Sequence, residues 1–453
     1  EFFNGVSKTL QDHKNLLDDK ISDTDRKTIL DGLGKAASQY RLSIYDQSFS
    51  GSKSGLSIQD ISSFINVALA HLEHTIKANK REDNLYNAYN LMTLENDKEV
   101  SVSYLPEMLE GQVAVLSSGY LSTLDALSVM DALKASKLFR PDQYSYILYP
   151  NKTLPRFVDK NTISKQQVDS SKLLQELVKA GNTQIITKDC NGQCHFNGNF
   201  NNVENLKAAI TNLPEVFTSL AVKEAEVIYG IFEANFNHKS FTGRSGTFFG
   251  YEGLGSIYWH MISKLLLGAF EATQKAIDQK QDPKIIGRLV DHYFEINAGI
   301  GAHKSPELYG AFPTDPYSHT PGGKGAQQPG MTGQVKEDIL CRFGELGLRV
   351  SEGVLCFEPS IMKASEFIQK PQTFQYIDVK QEKQSIVLEK DSLAFTVCQV
   401  PVIYKKATEG STIVTFFEGP AKIFDTNALD AKTTKDVFER MHKIKHITVF
   451  VVK

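Results

Sequence analysis

A Gly- and Pro-rich loop over residues 315–333 carries side chains that could bind an anion or a sugar. These polar side chains are Asp315, His319, Lys324, Gln327, Gln328 and Thr332. An amphipathic helix is predicted to begin near Thr332, and the free backbone N–H groups and the dipole of a helix start favour an anion. Thr332 and Gly333 therefore predict an anion-binding site. The alternative is a surface loop in which Thr332 only caps the helix.

Two further loops combine aromatic with polar side chains. One covers residues 139–146 and contains Arg140 and Asp142, and the other covers residues 240–252 and contains Arg244 and Tyr251. Flat aromatic faces suit the C–H groups of a sugar ring, and planar polar groups suit its hydroxyls. Together the three loops predict a carbohydrate site. The alternatives are a structural ion pair for Arg140 and Asp142, and a core position for Tyr251.

Glu252, at the end of the second loop, is the candidate catalytic carboxylate. It stands at the start of a predicted helix, whose dipole stabilises a carboxylate anion and so suits a base or a sugar ligand better than an acid. Burial against Phe248, Phe249 and Tyr251 would favour the protonated acid instead. The alternative is a first-turn charge that only stabilises the helix.

Composition narrows the class of protein and its partners. The chain has 453 residues, of which 41% are hydrophobic, enough for a large core. A net charge of -3 argues against nucleic acid as the main partner, and the apolar runs are shorter than the roughly 18 residues that cross a membrane. Five scattered cysteines indicate a reducing, cytoplasmic compartment. Cys190 and Cys194 lack a second pair at zinc-binding spacing, so we expect no metal and no cofactor.

Hydrophobic periodicity changes near residue 350. Before it, apolar residues recur at helical spacing in segments near 6–18, 24–42, 57–79, 104–118, 122–136, 162–180, 203–211, 215–236, 252–279, 282–297 and 333–347. Ser122 and Asp282-Pro283 are start signals for two of these helices. After residue 350, short alternating runs are typical of antiparallel strands. We predict a mainly helical domain over 1–350, with paired helices forming an α/α ring, and an antiparallel β domain over 351–453.

Several motifs resemble glycoside hydrolase family 94, which comprises the cellobiose, chitobiose and related disaccharide phosphorylases. The motifs are Asn84-Leu-Tyr-Asn-Ala-Tyr89, Glu110-Gly-Gln-Val-Ala-Val-Leu-Ser-Ser-Gly119, Asp315-Pro-Tyr-Ser-His-Thr-Pro321, Met331-Thr-Gly333 and Arg342-Phe-Gly-Glu-Leu-Gly-Leu-Arg-Val350. In that order they resemble the family's Gly-Glu-Trp-Tyr-x-Arg-Ala-Tyr turn, its Gln-Ala-Trp-Ala-Val-Leu-Ser-Gly helix, its Asp-Val-Tyr-Ser-His-Pro-Pro and Tyr-Thr-Gly-Ser-Ala segments, and the helix that follows. The colinear resemblance covers about residues 57–365.

The resemblance implies a fold of which this chain would hold one part. Family members have a six-hairpin (α/α) barrel between an N-terminal β-sandwich and a C-terminal β domain. This chain would then contain the second part of the barrel, followed by an antiparallel β-sandwich. We expect the first part of the barrel to precede Glu1 or to lie on another chain, because the sequence opens without an initiator Met. We also expect a homo-oligomer.

The chemistry implied by the resemblance is inverting phosphorolysis of a β-linked gluco-oligosaccharide. Inorganic phosphate would be the co-substrate and an α-sugar 1-phosphate the product. Thr332 and Gly333 match the family's phosphate-binding pair. The sugar-binding candidates are Arg140, Asp142, Tyr251, His260, Asp315, Gln327 and Gln328.

Two family features are absent from the sequence. It lacks the Asp-Trp-Asn-Asp-Gly loop of the general acid, and it lacks the phosphate-binding His of a Gly-Gly-x-Tyr-Thr-His segment. Arg244, His319 or Lys324 would then supply the cation for phosphate, since His260 lies about one turn from the family position. Two alternatives stay open. One is an inverting hydrolase, which needs a second carboxylate about 6.5–9.5 Å from the acid, and the other is a non-catalytic glycan-binding subunit.

Overall fold

The computed structural model describes residues 1–49, 51, 53–150, 155–237, 257–300, 319–320 and 335–452. About half of these residues are helical, and small sheets occupy the C-terminal part. The chain divides into two compact units. The first comprises Glu1–Pro150 with Gly255–Lys453, and the second comprises Asn151–Leu254. The domain boundary near residue 350 stays a prediction.

The helices agree closely with the periodicity of the sequence. In chain order they are α1 (Phe2–Asp12), α2 (Asp23–Gln47), α3 (Ile58–Ala78), α4 (Leu109–Ser117), α5 (Thr123–Ala135), α6 (Phe157–Lys160), α7 (Lys165–Asp169), α8 (Lys172–Lys179), α9 (Val203–Thr211), α10 (Glu215–Phe236), α11 (Trp259–Asp278), α12 (Pro283–Ala298), α13 (Val335–Glu345) and α14 (Ala431–Phe438). Ser122 and Asp282 cap α5 and α12 as predicted, each accepting a backbone N–H.

The strands are short and mostly paired with a sequence neighbour. They are β1 (Leu91–Asn96), β2 (Glu99–Ser103), β3 (Phe139–Arg140), β4 (Ser145–Tyr146), β5 (Thr162–Ile163), β6 (Ile186–Lys188), β7 (Cys194–Phe196), β8 (Ile257–Tyr258), β9 (His319–Thr320), β10 (Leu348–Ser351), β11 (Val354–Phe357), β12 (Gln372–Ile377), β13 (Lys383–Leu388), β14 (Ser392–Val397), β15 (Val400–Ala407), β16 (Ser411–Phe416), β17 (Lys422–Phe424) and β18 (Ile444–Val452). β1–β2, β3–β4, β10–β11 and β12–β13 are antiparallel hairpins.

Three helices of the first unit run in the same direction. Along α11, Gly268 faces Leu116 and Ser117 at the end of α4, and Lys275 then donates to the carbonyl oxygens of Gly119 and Leu121 at 3.0 and 2.7 Å. Later residues of α11 therefore contact later residues of α4 and of the turn that follows it. The two helices are therefore parallel.

Helix α13 has the same direction as α11. A Cβ on Gly344 would meet the ring of Phe270, and Arg349, just beyond α13, pairs with Asp278 at the end of α11 at 2.8 Å. Glycine at position 344 allows this close approach of the two helices. The first turns of α4, α11 and α13 consequently lie at one end of the first unit.

Helices α5 and α12 return in the opposite direction. Short connections join α4 to α5 and α11 to α12, and each pair packs together. An ion-pair network links α5 to α12, with Asp131 accepting from Arg288 and from His292 (2.8 Å to Nε2) and Lys134 pairing with Glu295. The α4–α5 and α11–α12 pairs are the predicted antiparallel helix pairs, while the closed six-hairpin barrel stays a prediction.

The C-terminal strands form a five-stranded sheet of order β14-β15-β18-β16-β17, beside two hairpins. All of its pairs are antiparallel except β15 with β18, which is parallel. The expectation of a purely antiparallel arrangement is wrong at this pair, because β18 follows helix α14 and can enter the sheet beside β15 in the same direction. Tyr404, Phe357 and Val449 lie in its core. A β-sandwich stays a prediction.

The second unit has its own core of helices and a small sheet. Helices α6 to α10 surround an antiparallel sheet of order β5-β7-β6. Buried Asn161 exchanges two side-chain hydrogen bonds with the backbone of Phe196 (2.9 and 3.1 Å), which fixes β7. Periodicity predicted one helix over 162–180, but two short helices form because Ser171 caps α8.

None of the helices within the described ranges combines the length and apolar character that crossing a membrane requires.

Candidate functional site

The rim is the end of the first unit at which α4, α11 and α13 begin and α5 and α12 end. The residues that flank all three predicted polar loops lie there: hairpin β3–β4 follows α5, β8 precedes α11, and α13 begins at Val335. The backbone N–H of Leu109, the first residue of α4, donates to the carbonyl oxygen of Leu148 at 3.1 Å. This bond fixes the segment after the hairpin to the start of α4.

Strands β8 and β9 bring two loop segments together at the rim. Tyr258 pairs with His319, and Ile257 pairs with Thr320, in an antiparallel ladder. The backbone of His319 therefore lies beside the residue that immediately precedes α11. The predicted role of His319 in phosphate binding stays a prediction.

His260 lies in the first turn of α11. Its Nδ1 is 3.2 Å from the hydroxyl oxygen of Tyr258, which orients the ring. Its Nε2 is buried and has no hydrogen-bond partner within the described ranges. A buried ring nitrogen without a partner is rare in a native structure and requires an explanation, such as a ligand or water. His260 is thus able to donate to an anion or a sugar hydroxyl.

Arg140 and Asp142 form the structural ion pair that was the alternative to a sugar-binding role. Arg140 Nε donates to Asp142 Oδ1 at 3.0 Å, and Nη2 donates to Oδ2. The Arg140 side chain is only 11% exposed, whereas that of Asp142 is 59% exposed. Arg140 Nη1 is buried without a hydrogen-bond partner in the described part of the chain. The ion pair therefore stabilises the hairpin, and Nη1 of Arg140 is not used in it.

Hairpin β3–β4 borders a cavity of about 690 Å³ at the rim. The lining residues are Lys134, Phe139, Pro141, Tyr144, Tyr146, Asp291, Phe294, Glu295 and Ala298. Tyr144 has a φ of 49°, which is rare for a bulky residue, and its side chain is exposed. Burial, with a smaller effect of the Glu295 charge, raises the pKa of Tyr146, so its hydroxyl stays protonated. Aromatic faces beside charged groups are the combination predicted for a sugar.

Glu337, in the first turn of α13, is a rim residue that the sequence reasoning missed. It is 3% exposed, and its Oε1 lies 3.7 Å from Nζ of the largely exposed Lys336. Its Oε2 is buried and no described residue bonds to it. Its spacing from Cys341 and Gly344 places it on the α13 face that packs against α11. That spacing was the available signal, because a charge at an apolar position of a helix is unusual.

The core below the rim is apolar but contains the carboxylate of Glu345. Burial, and next the charge of Glu345, raises the pKa of the Cys341 thiol to about 12. Tyr293 donates to Glu345 at 2.6 Å, and burial followed by this bond raises the pKa of Tyr293. Cys341 is therefore a packing residue rather than a nucleophile. Within the described ranges, no group of three or more His, Cys, Asp or Glu side chains could hold a metal ion.

Most of the predicted site residues lie outside the described residues. These are Arg244, Tyr251, Glu252, Asp315, Lys324, Gln327, Gln328, Thr332 and Gly333, together with the side chain of His319. Their roles stay predictions.

Part of the second unit matches a known protein family. Residues 154–239 match the family model described as GH149 phosphorylase insertion domain 2. The matched residues fall inside the unit Asn151–Leu254, which interrupts the first unit between hairpin β3–β4 and β8. No curated protein matches the chain. The match does not single out glycoside hydrolase family 94, and it relates the chain to the glycoside phosphorylases.

Proposed function

We propose that this chain belongs to an enzyme that cleaves a β-linked gluco-oligosaccharide by inverting phosphorolysis. The observation that carries the proposal is the match of residues 154–239 to an insertion domain of a phosphorylase family. The resemblance of the motifs around Thr332 to family 94 phosphorylases comes from a separate part of the chain. Both lines of support indicate transfer of a glycosyl group to phosphate.

Phosphate would bind at the rim, between the starts of α11 and α13. Parallel helices bring their positive N-terminal ends to the same place, which favours an anion. His260, with its unpartnered buried Nε2, is the described side chain best suited to donate to phosphate. In this proposal Thr332 and Gly333 supply a hydroxyl and a backbone N–H, and Arg244, His319 or Lys324 supplies further positive charge.

Phosphate requires no second carboxylate, because it is already an anionic nucleophile. Only a general acid is needed to protonate the leaving oxygen. Glu252 is our candidate within this chain for contact with the reacting sugar. The competing hydrolase would need a base about 6.5–9.5 Å from the acid to activate water. The family comparison favours phosphorolysis over that alternative.

The sugar would extend from the phosphate towards hairpin β3–β4. The cavity beside the hairpin offers aromatic faces from Phe139 and Tyr144 and charged groups from Lys134 and Asp291. These groups suit a neutral oligosaccharide, which presents C–H faces and hydroxyls. Arg140 and Asp142 would order the hairpin rather than bind the sugar directly.

The proposal is tested by the phosphate dependence of two variants. Thr332→Val and His260→Asn each remove a donor to an anion, worth about 1.5–3 kcal/mol, so the KM for phosphate should rise by roughly ten- to a hundredfold. The control is Thr28→Val on the exposed face of α2, which should leave that KM unchanged. An unchanged phosphate KM in both rim variants would contradict the phosphate site.

A further inference from the structure

Glu337, in the first turn of α13, is a buried carboxylate near the proposed phosphate site. Its side chain is 4% exposed, and its Oε2 is buried without a hydrogen-bond partner in the described residues. Lys336 lies 3.7 Å from Oε1, but its own side chain is 71% exposed, so it neutralises the carboxylate poorly. A buried carboxylate oxygen without a hydrogen-bond partner destabilises the folded protein. Glu337 therefore requires a partner that the described protein residues do not provide.

The position of Glu337 indicates where that partner lies. Glu337, Cys341 and Gly344 share one face of α13, and Gly344 packs on Phe270 of α11. Because α11 and α13 are parallel, Glu337 lies one turn nearer the rim than Cys341, which is itself in the core. The carboxylate also lies in the first turn of α13, the end of that helix nearest the rim. The partner must therefore be a hydrogen-bond donor that reaches the rim.

A neutral sugar suits this carboxylate better than phosphate does. Two anions repel each other, whereas an ionised carboxylate accepts strong hydrogen bonds from hydroxyl groups. A metal ion would require further ligands, and the part of the chain that the structure describes contains no such cluster. Glu337 also lies in the first turn of α13, at the end of the helix where the proposed function places the phosphate.

We infer that Glu337 is a sugar-binding residue, whose carboxylate accepts hydrogen bonds from hydroxyls of the glycosyl unit next to the phosphate. The inference rests on the proposed function. It assigns to Glu337 a role in affinity for the sugar and no role in proton transfer. It also explains an otherwise unfavourable buried charge as a feature retained for binding.

Two variants of Glu337 separate sugar binding from a structural role. Glu337→Gln keeps the shape but replaces a charged acceptor with a neutral amide, so its affinity for β-linked gluco-oligosaccharides should fall roughly ten- to a hundredfold. Glu337→Leu removes the buried charge altogether and should raise the melting temperature while abolishing binding. The control is Glu345→Leu on the same helix, which leaves Tyr293 without its acceptor, removes one of the two carboxylate acceptors of Arg342, and should lower the melting temperature.

The experiment is calorimetric titration with β-linked gluco-oligosaccharides in the absence of phosphate, together with melting curves of the three variants. The inference is overturned if Glu337→Gln binds the sugar as tightly as the wild type. It is also overturned if Glu337→Leu lowers the melting temperature as Glu345→Leu does. A wild type that binds no gluco-oligosaccharide would contradict the proposed function as well. Equally tight binding by the wild type and by Glu337→Gln would contradict the Glu337 assignment alone.

Discussion

The carbonyl oxygen of Tyr144 lies directly against Gly299, at a place where a Cβ on residue 299 would come within 1.9 Å of it. The backbone of hairpin β3–β4 therefore packs on the end of α12, and only a glycine at position 299 leaves space for the Tyr144 carbonyl oxygen. Tyr144 adopts a left-handed backbone conformation at this contact, with a φ of 49°. The contact joins one candidate sugar-binding loop to the segment that leads into β9.

Gly299→Ala should destabilise the protein because the added methyl group overlaps a backbone carbonyl, which cannot move away as a side chain could. We expect a loss of about 1–3 kcal/mol in the free energy of unfolding, as for overpacked cores. Gly287→Ala within α12, the helix that ends just before Gly299, is the control, since its Cβ would meet nothing within 4 Å. Alanine is the better helix former by about 1 kcal/mol, so the control should be stabilised. Urea denaturation of both variants measures the difference, and equal stability would contradict the contact.

Asp430, the N-cap of α14, should make stability depend on pH in the acid range. Two hydrogen bonds lower the pKa of its carboxyl group to about 2. The larger effect comes from the bond with Lys422, and the second from the bond that the backbone N–H of Thr433 donates at 2.7 Å. Because the folded pKa lies below the unfolded value of about 3.9, the stabilisation is complete above that value and is lost as the pH falls towards 2. Asp430→Ala should cost about 1 kcal/mol at pH 7, a typical value for a cap.

The control for Asp430 is a neutral cap. Asn202 accepts the backbone N–H groups of Glu204 and Asn205 at the start of α9 and carries no titratable group. The stability gap between wild type and Asp430→Ala should shrink between pH 4 and pH 2, whereas the gap for Asn202→Ala should change little. Urea denaturation across this range checks both, and parallel curves for the two variants would refute the role of the ionised carboxylate.

Cys341 should resist thiol reagents in the folded protein. Burial and the neighbouring Glu345 raise its pKa to about 12, so almost no thiolate forms at pH 8. Cys190 is exposed and should react readily, which makes it the internal control. Mass spectrometry of peptides after limited alkylation measures both sites. Rapid labelling of Cys341 before Cys190 would show that α13 does not pack on α11 as described.

Helix positions were the part of the fold that sequence predicted best. The helical spacing of Leu254, Ile257, Met261, Leu265 and Ala269 indicated α11, because one face of a helix must be buried to stabilise it. Most of that face is indeed buried in the structure. The small sheets around β3 and β5 were missed, since pairs of two residues give no periodic signal.

The candidate site was predictable only in part. Loop composition indicated that the segment with Arg140 and Asp142 belongs to the site. The sequence could not show whether the two side chains bind a sugar or each other, because that depends on how they are buried in the folded protein. Glu337 was missed because it resembles any first-turn acid, and only its spacing from Cys341 and Gly344 indicates that it lies on the buried face of α13. The parallel pairing of β15 with β18 depends on where the chain re-enters a sheet, which local propensity does not determine.

Glu252→Gln should lower turnover by about 10²–10⁴-fold with little change in melting temperature if Glu252 contacts the reacting sugar, the usual range for acid–base groups. A residue that only stabilises a helix start would lose about 0.3–1 kcal/mol of stability and no activity. Measuring turnover and melting temperature on the same variant separates the two roles. Full activity with a slightly lower melting temperature would leave Glu252 structural, and the general acid would then lie outside this chain.

The most direct test of the central claim is the product formed from β-linked gluco-oligosaccharides with and without inorganic phosphate. The protein, with any partner chain that completes it, is incubated with the sugars, and the products are identified by NMR. Phosphorolysis predicts an α-sugar 1-phosphate that appears only when phosphate is present. Free reducing sugar released at the same rate without phosphate would contradict the account and would identify the enzyme as a hydrolase.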